Sequence, residues 1–181
     1  MMVKPIKSKE VVRNIINALK EESPRNAIMF GLGVYCGLRI SDILNLKVKN
    51  VRRKWNIRVK QQKTGKYIEI VLNRELKKMI DGFTENMNDE DYLIKSRKGD
   101  NKPISETQAY RIMQEIAQEF NLHNFGCHST RKTFAYHLYL DNKKDIGLVQ
   151  KALGHESSAT TLAYIDMDKE AVNRAIKRIR Y

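Results

Sequence analysis

Residues 153–164, Leu-Gly-His-Glu-Ser-Ser-Ala-Thr-Thr-Leu-Ala-Tyr, place a histidine nine residues before a tyrosine near the end of this 181-residue chain. Gly154 is a natural C-cap for a helix that begins near Asp145, because glycine adopts the left-handed conformation at little cost. A second helix is expected to begin near Ser158 and to carry Tyr164. The stretch therefore predicts two short helices, with His155 in the turn between them.

Four further cationic residues precede this stretch: Arg39, Lys63, His128 and Arg131. Together with His155 they supply what a phosphodiester needs when a phenol attacks it without a metal ion. Arginine forks bind non-bridging phosphate oxygens, and their charge counts most where negative charge builds up in the transition state. A phenol ionises near pH 10, so the surrounding cations must favour the phenolate or its transition state. The set indicates phosphoryl transfer to Tyr164.

The chain has eight tyrosines, so the choice of nucleophile needs an argument. Tyr35, Tyr136 and Tyr139 lie in apolar helical stretches and are expected in the core. Tyr164 follows the Gly-His pair at short range, and we therefore interpret it as the candidate nucleophile.

The pattern of apolar residues predicts a mainly α fold with one small antiparallel β-sheet (α+β). Helices are expected to begin near residues 8, 24, 41, 73, 105, 129, 145, 158 and 168, and the helix from Pro24 to stop near Gly37. Two strands, residues 55–59 and 67–71, flank the turn Lys63-Thr64-Gly65-Lys66, in which glycine is available for positive φ. The acidic stretch from Asp81 to Asp91 is expected to form a solvated loop.

Charge points to a polyanionic partner. The formal net charge is +13, and residues 47–66 contain nine basic residues and no acidic one. Nucleic acid is the commonest polyanion, so the hairpin is expected to contact phosphate. Its turn offers two lysines, Lys63 and Lys66, and the pattern by itself does not exclude either. The sequence shows no signal peptide and no membrane span, so it predicts a cytoplasmic protein. The cysteines form no cluster, and Cys36 is expected to be a core thiol.

The order and spacing of these motifs, from about Val11 to Ala175, resemble the tyrosine recombinase (phage integrase) family. The resemblance rests on Gly37-Leu38-Arg39-Ile40-Ser41-Asp42, the Lys63 turn, His128-Ser129-Thr130-Arg131 with Thr133-Phe134-Ala135, and Leu153-Gly154-His155 followed by Tyr164. It implies that Arg39 and Arg131 clamp the phosphate and that Tyr164 attacks it. Lys63 is then the general acid, His128 an acid/base or hydrogen-bonding group near the attacking oxygen, and His155 a donor to a non-bridging oxygen. Asp42, one helical turn after Arg39, is expected to hold its guanidinium.

The resemblance implies a site-specific recombinase that acts on double-stranded DNA through a 3′-phosphotyrosyl intermediate, as a homo-oligomer (a tetramer) on DNA. It implies no cofactor and no metal, and the four histidines show no metal-ligand spacing. Residues 1–181 would form a single catalytic domain without the N-terminal DNA-clamping domain of the family. The chain would then be either an excised catalytic domain or a minimal stand-alone member. A helix from Asp168 to Ile179 would pass to a neighbouring protomer. Two alternatives stay open: a DNA-binding regulator on the same fold, and a type IB topoisomerase-like enzyme.

Overall fold

A computed structural model of the chain describes residues 3–155, 157–165 and 177. Its elements are α1 (Lys9–Glu22), α2 (Pro24–Cys36), α3 (Ile40–Leu44), α4 (Val48–Val51), β1 (Asn56–Lys60), β2 (Tyr67–Val71), α5 (Arg74–Thr84), α6 (Glu106–Glu119), α7 (Cys127–Asp141), α8 (Ile146–Leu153) and α9 (Ser158–Ile165). The predicted class, mainly helical with one small antiparallel sheet, is confirmed. Apart from residue 177, the helix expected over Asp168–Ile179 lies outside the described residues.

Polar side chains cap the N-termini of four helices, as their sequence positions predict. The side chains of Ser8, Asn73, Ser105 and Asp145 each accept a hydrogen bond from a backbone N–H in the first turn of α1, α5, α6 and α8. These bonds satisfy donors that the helix itself leaves without a partner. Left-handed glycines end α2 and α8, Gly37 at φ 65° and Gly154 at φ 64°.

The sheet is a two-stranded hairpin. Strands β1 and β2 pair antiparallel from Asn56 opposite Val71 to Lys60 opposite Tyr67, and the inward residues of β1 are buried. Gly65 has φ 68° in the turn, as expected for a left-handed position. One local expectation was partly wrong. Helix α5 continues into the acidic stretch as far as Thr84, because its inward face remains buried, so the loop expected from Asp81 begins later. Helix α4 is a one-turn helix that no sequence pattern had indicated.

Buried side chains form two clusters. The larger one is built mainly from α1, α2, α5 and α6, and the smaller one joins the second half of α7 to α8 and α9. Helix α2 is apolar on nearly every side because it runs through the larger cluster. It has 13 residues, and no helix in the described part of the chain is long and apolar enough to cross a bilayer.

Helices α2 and α7 cross closely at Gly33. A Cβ at this position would lie 2.3 Å from Thr130 Oγ1, so only a residue without a side chain allows this approach. At the end of α2 the ring of Phe134 covers Gly37 in the same way, since a Cβ there would lie 2.4 Å from Phe134 Cδ1. The crossing brings the start of α7, with Arg131, against the C-terminal end of α2.

Candidate active site

Arg131 lies where the two clusters meet. Its side chain is the largest fully buried one among the described residues, with 1% of the residue exposed. One terminal nitrogen donates to the Gly37 carbonyl, and the other donates to the Leu153 carbonyl at 2.8 Å and approaches His155 Nε2 at 3.2 Å. The guanidinium carbon is 5.8 Å from the centre of the Tyr164 ring. Arg131 therefore connects the end of α2 with α8, His155 and Tyr164.

Buried hydroxyl groups fix the first turns of α7. Ser129 N–H donates to the Gly126 carbonyl at 2.8 Å, and Gly126 N–H donates back to Ser129 Oγ at 3.1 Å. Thr133 Oγ1 donates to the Ser129 carbonyl at 2.7 Å and accepts from the Ile6 N–H at 2.9 Å. The helix from which Arg131 projects is thus held both locally and by the N-terminal segment.

The ring of His155 lies between α9 and Arg131. Its Nδ1 is 3.1 Å from Thr161 Oγ1, and Thr161 Oγ1 donates to the Ser157 carbonyl at 3.3 Å. This pattern assigns the proton of the neutral ring to Nδ1 and leaves Nε2 to accept from Arg131. The ring centre of Tyr164 is 5.0 Å from that of His155, with the planes tilted by 58°. Tyr164 consequently faces both His155 and Arg131.

Arg39 follows the left-handed Gly37 and lies beside Asp42, as predicted. Arg39 Nη1 is 4.0 Å from Asp42 Oδ2, and the Asp42 side chain is fully enclosed. The other carboxylate oxygen, Oδ1, accepts from the Gln62 N–H at 2.8 Å. One buried carboxylate therefore lies between Arg39 and the hairpin turn, a contact that the linear motif did not reveal.

Burial and nearby positive charges lower the pKa of both histidines of the site. Burial and the charges of Arg131, Arg39 and Lys63 lower the pKa of His155 to about 4. The pKa of His128 is also lowered, mainly by partial burial and then by the positive charges of Arg131 and Arg39. This side chain lies on the surface at the start of α7. Both rings are therefore neutral at pH 7, since each begins from an ordinary value of 6.5.

The hairpin turn carries two exposed lysines, Lys63 and Lys66. Lys63 is among the charges that lower the pKa of His155, which favours it as the lysine directed toward the site. All six residues singled out from the sequence thus belong to one region: Arg39, Arg131, His155 and Tyr164 at its centre, and Lys63 and His128 at its edge.

Two buried cationic N–H groups have no acceptor in the described part of the chain. They are Arg39 Nη1 and Arg131 Nε. A buried donor without an acceptor is costly, and an anion that enters the site would offset that cost. The arrangement is suited to a phosphate group. Within residues 3–155, 157–165 and 177, no three His, Cys, Asp or Glu side chains converge as metal ligands.

Two other tyrosines, Tyr139 and Tyr35, are held in ways that do not suit a nucleophile. Tyr139 is buried in the smaller cluster, as predicted, whereas Tyr35 and Tyr136 are only partly buried. Tyr35 Oη donates to Glu75 at 2.8 Å, and burial together with that bond raises the pKa of Tyr35. Its phenolate is therefore disfavoured.

Sequence reasoning missed two residues that hold the site together. Thr161 was noted only as part of a motif, yet it is buried and contacts the ring of His155. Gln61 was not considered, although it is 1% exposed. A signal was present, because alternation along β1 places Ile57, Val59 and Gln61 on the same, inward face.

Comparison with known proteins identifies relatives among the integrases and tyrosine recombinases. The model of the phage integrase family matches residues 7–171. A probable integrase/recombinase of Bacillus subtilis, YoeC, is 39% identical over 176 residues, which cover 97% of this chain and 96% of that protein. The tyrosine recombinase XerA of Pyrococcus furiosus is 27% identical over 174 residues, 94% of this chain and 60% of that protein. The chain thus spans nearly all of the first relative and less than two thirds of the second.

Solved structures share the fold. A crystal structure of XerA recombinase matches with a TM-score of 0.81 and 25% identity, over 100% of this chain and 68% of that one. A lambda integrase tetramer bound to a Holliday junction matches with a TM-score of 0.71 and 20% identity, over 92% of this chain and 49% of that one. This chain therefore belongs to the phage integrase family, the tyrosine recombinases, which are enzymes that cleave and rejoin DNA.

Proposed function

We propose that this chain catalyses site-specific recombination of double-stranded DNA through a 3′-phosphotyrosyl intermediate at Tyr164. The observation that carries the proposal is the position of Tyr164 over Arg131, beside two buried arginine N–H groups that lack an acceptor within the described residues. Family membership and the net charge of +13 support DNA as the partner. Because lambda integrase binds a Holliday junction as a tetramer, we extend the same assembly to this chain.

In the first step, Tyr164 Oη attacks the phosphorus and the bond between phosphorus and the 5′ oxygen breaks. The phenolic proton passes to His128, which is neutral at pH 7 and can accept it. The leaving 5′ oxygen takes a proton from the Lys63 ammonium. A 5′-hydroxyl from another duplex then attacks the phosphotyrosine and reverses each transfer. One phosphoester replaces another, so the exchange needs no external energy source.

Arg39 and Arg131 stabilise the charge that develops on the non-bridging oxygens. Here His155 Nε2 accepts from Arg131, so it has no proton to give to a phosphate oxygen. Donation by His155 would require the ring to leave Arg131 or to change tautomer when DNA binds. Until then, His155 serves to orient the Arg131 guanidinium.

Covalent capture on DNA tests the proposal. A site-selection experiment with a random duplex library first identifies the bound sequence, and a nicked form of that duplex then traps the intermediate. Wild-type protein is expected to give protein-linked DNA on a denaturing gel. Tyr164→Phe should bind with unchanged affinity and give no adduct. Tyr92→Phe, a control at a partly buried tyrosine between α5 and α6, should behave as wild type. An adduct from Tyr164→Phe would overturn the assignment.

The same experiment separates the alternatives. Binding by the wild type without any adduct would identify a DNA-binding regulator. An adduct accompanied by relaxation of supercoiled DNA, without pairing of two duplexes, would identify a topoisomerase-like enzyme that acts as a monomer. Recovery of recombinant products from two labelled duplexes is the result that we expect.

A further inference from the structure

Gln61 closes the turn that carries Lys63. Its backbone carbonyl accepts from Gly65 N–H at 2.8 Å, and its N–H donates to the Lys66 carbonyl at 2.9 Å. The side-chain oxygen Oε1 accepts from Thr64 Oγ1 at 2.9 Å. Main chain and side chain of one residue thus define the shape of the turn.

The Gln61 side chain also lies next to Gly154. A Cβ at Gly154 would lie 3.3 Å from Gln61 Nε2 and 3.6 Å from Oε1, and the first of these distances is tighter than an ordinary van der Waals contact. Gly154 immediately precedes His155 and ends α8. The amide of Gln61 therefore brings the hairpin turn beside the backbone that carries His155.

The amide group of Gln61 is poorly satisfied for a buried group. Nε2 is enclosed and has no hydrogen-bond partner in the described part of the chain. A buried amide N–H without an acceptor opposes folding, so the benefit of a glutamine here must come from elsewhere. The geometry that it imposes on the turn supplies such a benefit.

A second contact fixes the same turn from α3. Asp42 Oδ1 accepts from the Gln62 N–H at 2.8 Å, and Asp42 Oδ2 lies 4.0 Å from Arg39. The turn is consequently held on two sides, by Asp42 next to Arg39 and by Gly154 next to His155.

Resting on the recombinase function above, we propose that Gln61 is a positioning residue for the general acid. It docks the Lys63 turn on Gly154, so that the Lys63 ammonium reaches the leaving 5′ oxygen while Arg39, Arg131 and His155 hold the same phosphate. Truncation of Gln61 leaves the arginine clamp intact and slows only the proton transfer to the leaving group.

The test changes the leaving group. The duplex from the selection experiment is synthesised with either oxygen or sulfur at the 5′-bridging position of the scissile phosphate, because a thiolate leaves without a proton. Gln61→Ala is expected to cleave the oxygen duplex roughly 10- to 100-fold more slowly than wild type, as for a misplaced catalytic group. It should cleave the sulfur duplex at the wild-type rate. Lys63→Ala should show the same pattern with a larger loss, roughly 10²- to 10⁴-fold.

Two further variants distinguish positioning from general stability. Val59→Ala removes buried surface from the same face of β1 and should lower the melting temperature while leaving the oxygen-to-sulfur rate ratio unchanged. Gln61→Met keeps most of the volume on Gly154 but loses the Thr64 bond, and should fold and give an intermediate ratio. Equal losses on both duplexes in Gln61→Ala, or sulfur rescue of Val59→Ala, would overturn the proposal.

An NMR titration of His155 tests the docking without cleavage. Burial lowers the pKa of His155 most, and the charges of Arg131, Arg39 and Lys63 lower it further. If Gln61 holds Lys63 in place, Gln61→Ala should raise that pKa, as Lys63→Ala should. A raised pKa in Lys63→Ala with no change in Gln61→Ala would disprove the docking role. If wild type forms no adduct on either duplex, the recombinase proposal fails, and the titration still decides whether Gln61 positions the turn.

Discussion

At the scale of residues, burial distinguishes the two arginines of the site. Arg131 is enclosed, and its burial and the nearby charge of Arg39 lower its pKa from 12.5 to about 10, against the opposing effect of Tyr164. It therefore remains cationic at neutral pH. Two backbone carbonyls, of Gly37 and Leu153, depend on it as a donor. Arg39 keeps 14% of its side chain exposed, and among the described residues its ion pair is the longer one to Asp42.

This difference predicts different effects of truncation. Arg39→Ala and Arg131→Ala should each slow covalent cleavage by 10²- to 10³-fold, or roughly 3–4 kcal/mol, and weaken DNA binding far less. Arg131→Ala should also lower the free energy of unfolding by roughly 1–3 kcal/mol for each carbonyl that loses its donor. Single-turnover cleavage, DNA binding and thermal melting check this. Equal losses of binding and cleavage would show that the arginines only position DNA.

The lowered pKa of His155 predicts acid sensitivity. Its folded pKa is about 4 and its ordinary value is 6.5, so the unfolded chain binds the extra proton between these pH values. Stability is therefore fully present above pH 6.5 and falls as the pH drops toward 4. The loss between pH 6.5 and 5 is at most ~2 kcal/mol, or roughly 4–8 °C in melting temperature. His155→Gln should lose less stability between pH 6.5 and 5 than wild type does. The difference separates the contribution of His155 from those of His128 and His137. An identical fall in the variant would contradict the assignment.

At the scale of elements, the crossing of α2 and α7 sets the distance between Arg39 and Arg131. Helix α2 ends next to Arg39, and α7 begins next to Arg131. The helices approach closely because Gly33 leaves room for Thr130. A local defect at this crossing should therefore affect the chemistry at a distance from it.

Gly33→Ala tests that crossing. Its Cβ would overlap Thr130, so we expect a loss of roughly 1–3 kcal/mol in stability and slower cleavage. Gly82→Ala is the matched control, because Gly82 lies in the exposed part of α5 and an added Cβ would meet no atom within 4 Å. It should stabilise the fold by roughly 0.5–1 kcal/mol and leave cleavage unchanged. Chemical unfolding and covalent capture measure both effects, and a neutral Gly33→Ala would show that the crossing can relax.

At the scale of the whole molecule, the net positive charge and the packing of the elements make separate contributions to the site. The net charge of +13 attracts DNA, while the junction of the two buried clusters collects cations around Tyr164. These cations come from α3, the hairpin, α7 and the turn before α9, so no single element contains the site.

From this charge distribution we expect cleavage to survive excess EDTA. Five cationic or neutral-basic side chains, Arg39, Lys63, His128, Arg131 and His155, supply the charge stabilisation and proton transfers of the proposed mechanism. Covalent adduct is measured with and without EDTA, and a magnesium-dependent nuclease in the same buffer serves as the positive control for chelation. Loss of adduct that magnesium restores would point to a different nuclease chemistry.

Local sequence was sufficient for most of the elements. Caps such as Ser8, Gly37 and Gly154, and the alternation of Ile57 and Val59, depend on a few neighbouring residues, so most of the helices, the hairpin and the fold class could be predicted. Helix α4 and the end of α5 could not. The six candidate residues were also found from motifs. Their roles, the single-domain organisation and the tetramer stay predictions.

Tertiary structure decided how those residues are held. The burial of Arg131, its bonds to Gly37 and Leu153, and the lowered pKa of His155 arise from contacts between elements far apart in the chain. The same holds for Gln61, because alternation along the strand predicts its inward side chain but not its position beside Gly154. Spacing along a chain determines local periodicity, whereas desolvation and charge coupling depend on which elements pack together. For that reason the candidate chemistry could be read from the sequence, and the support of the site only from the fold.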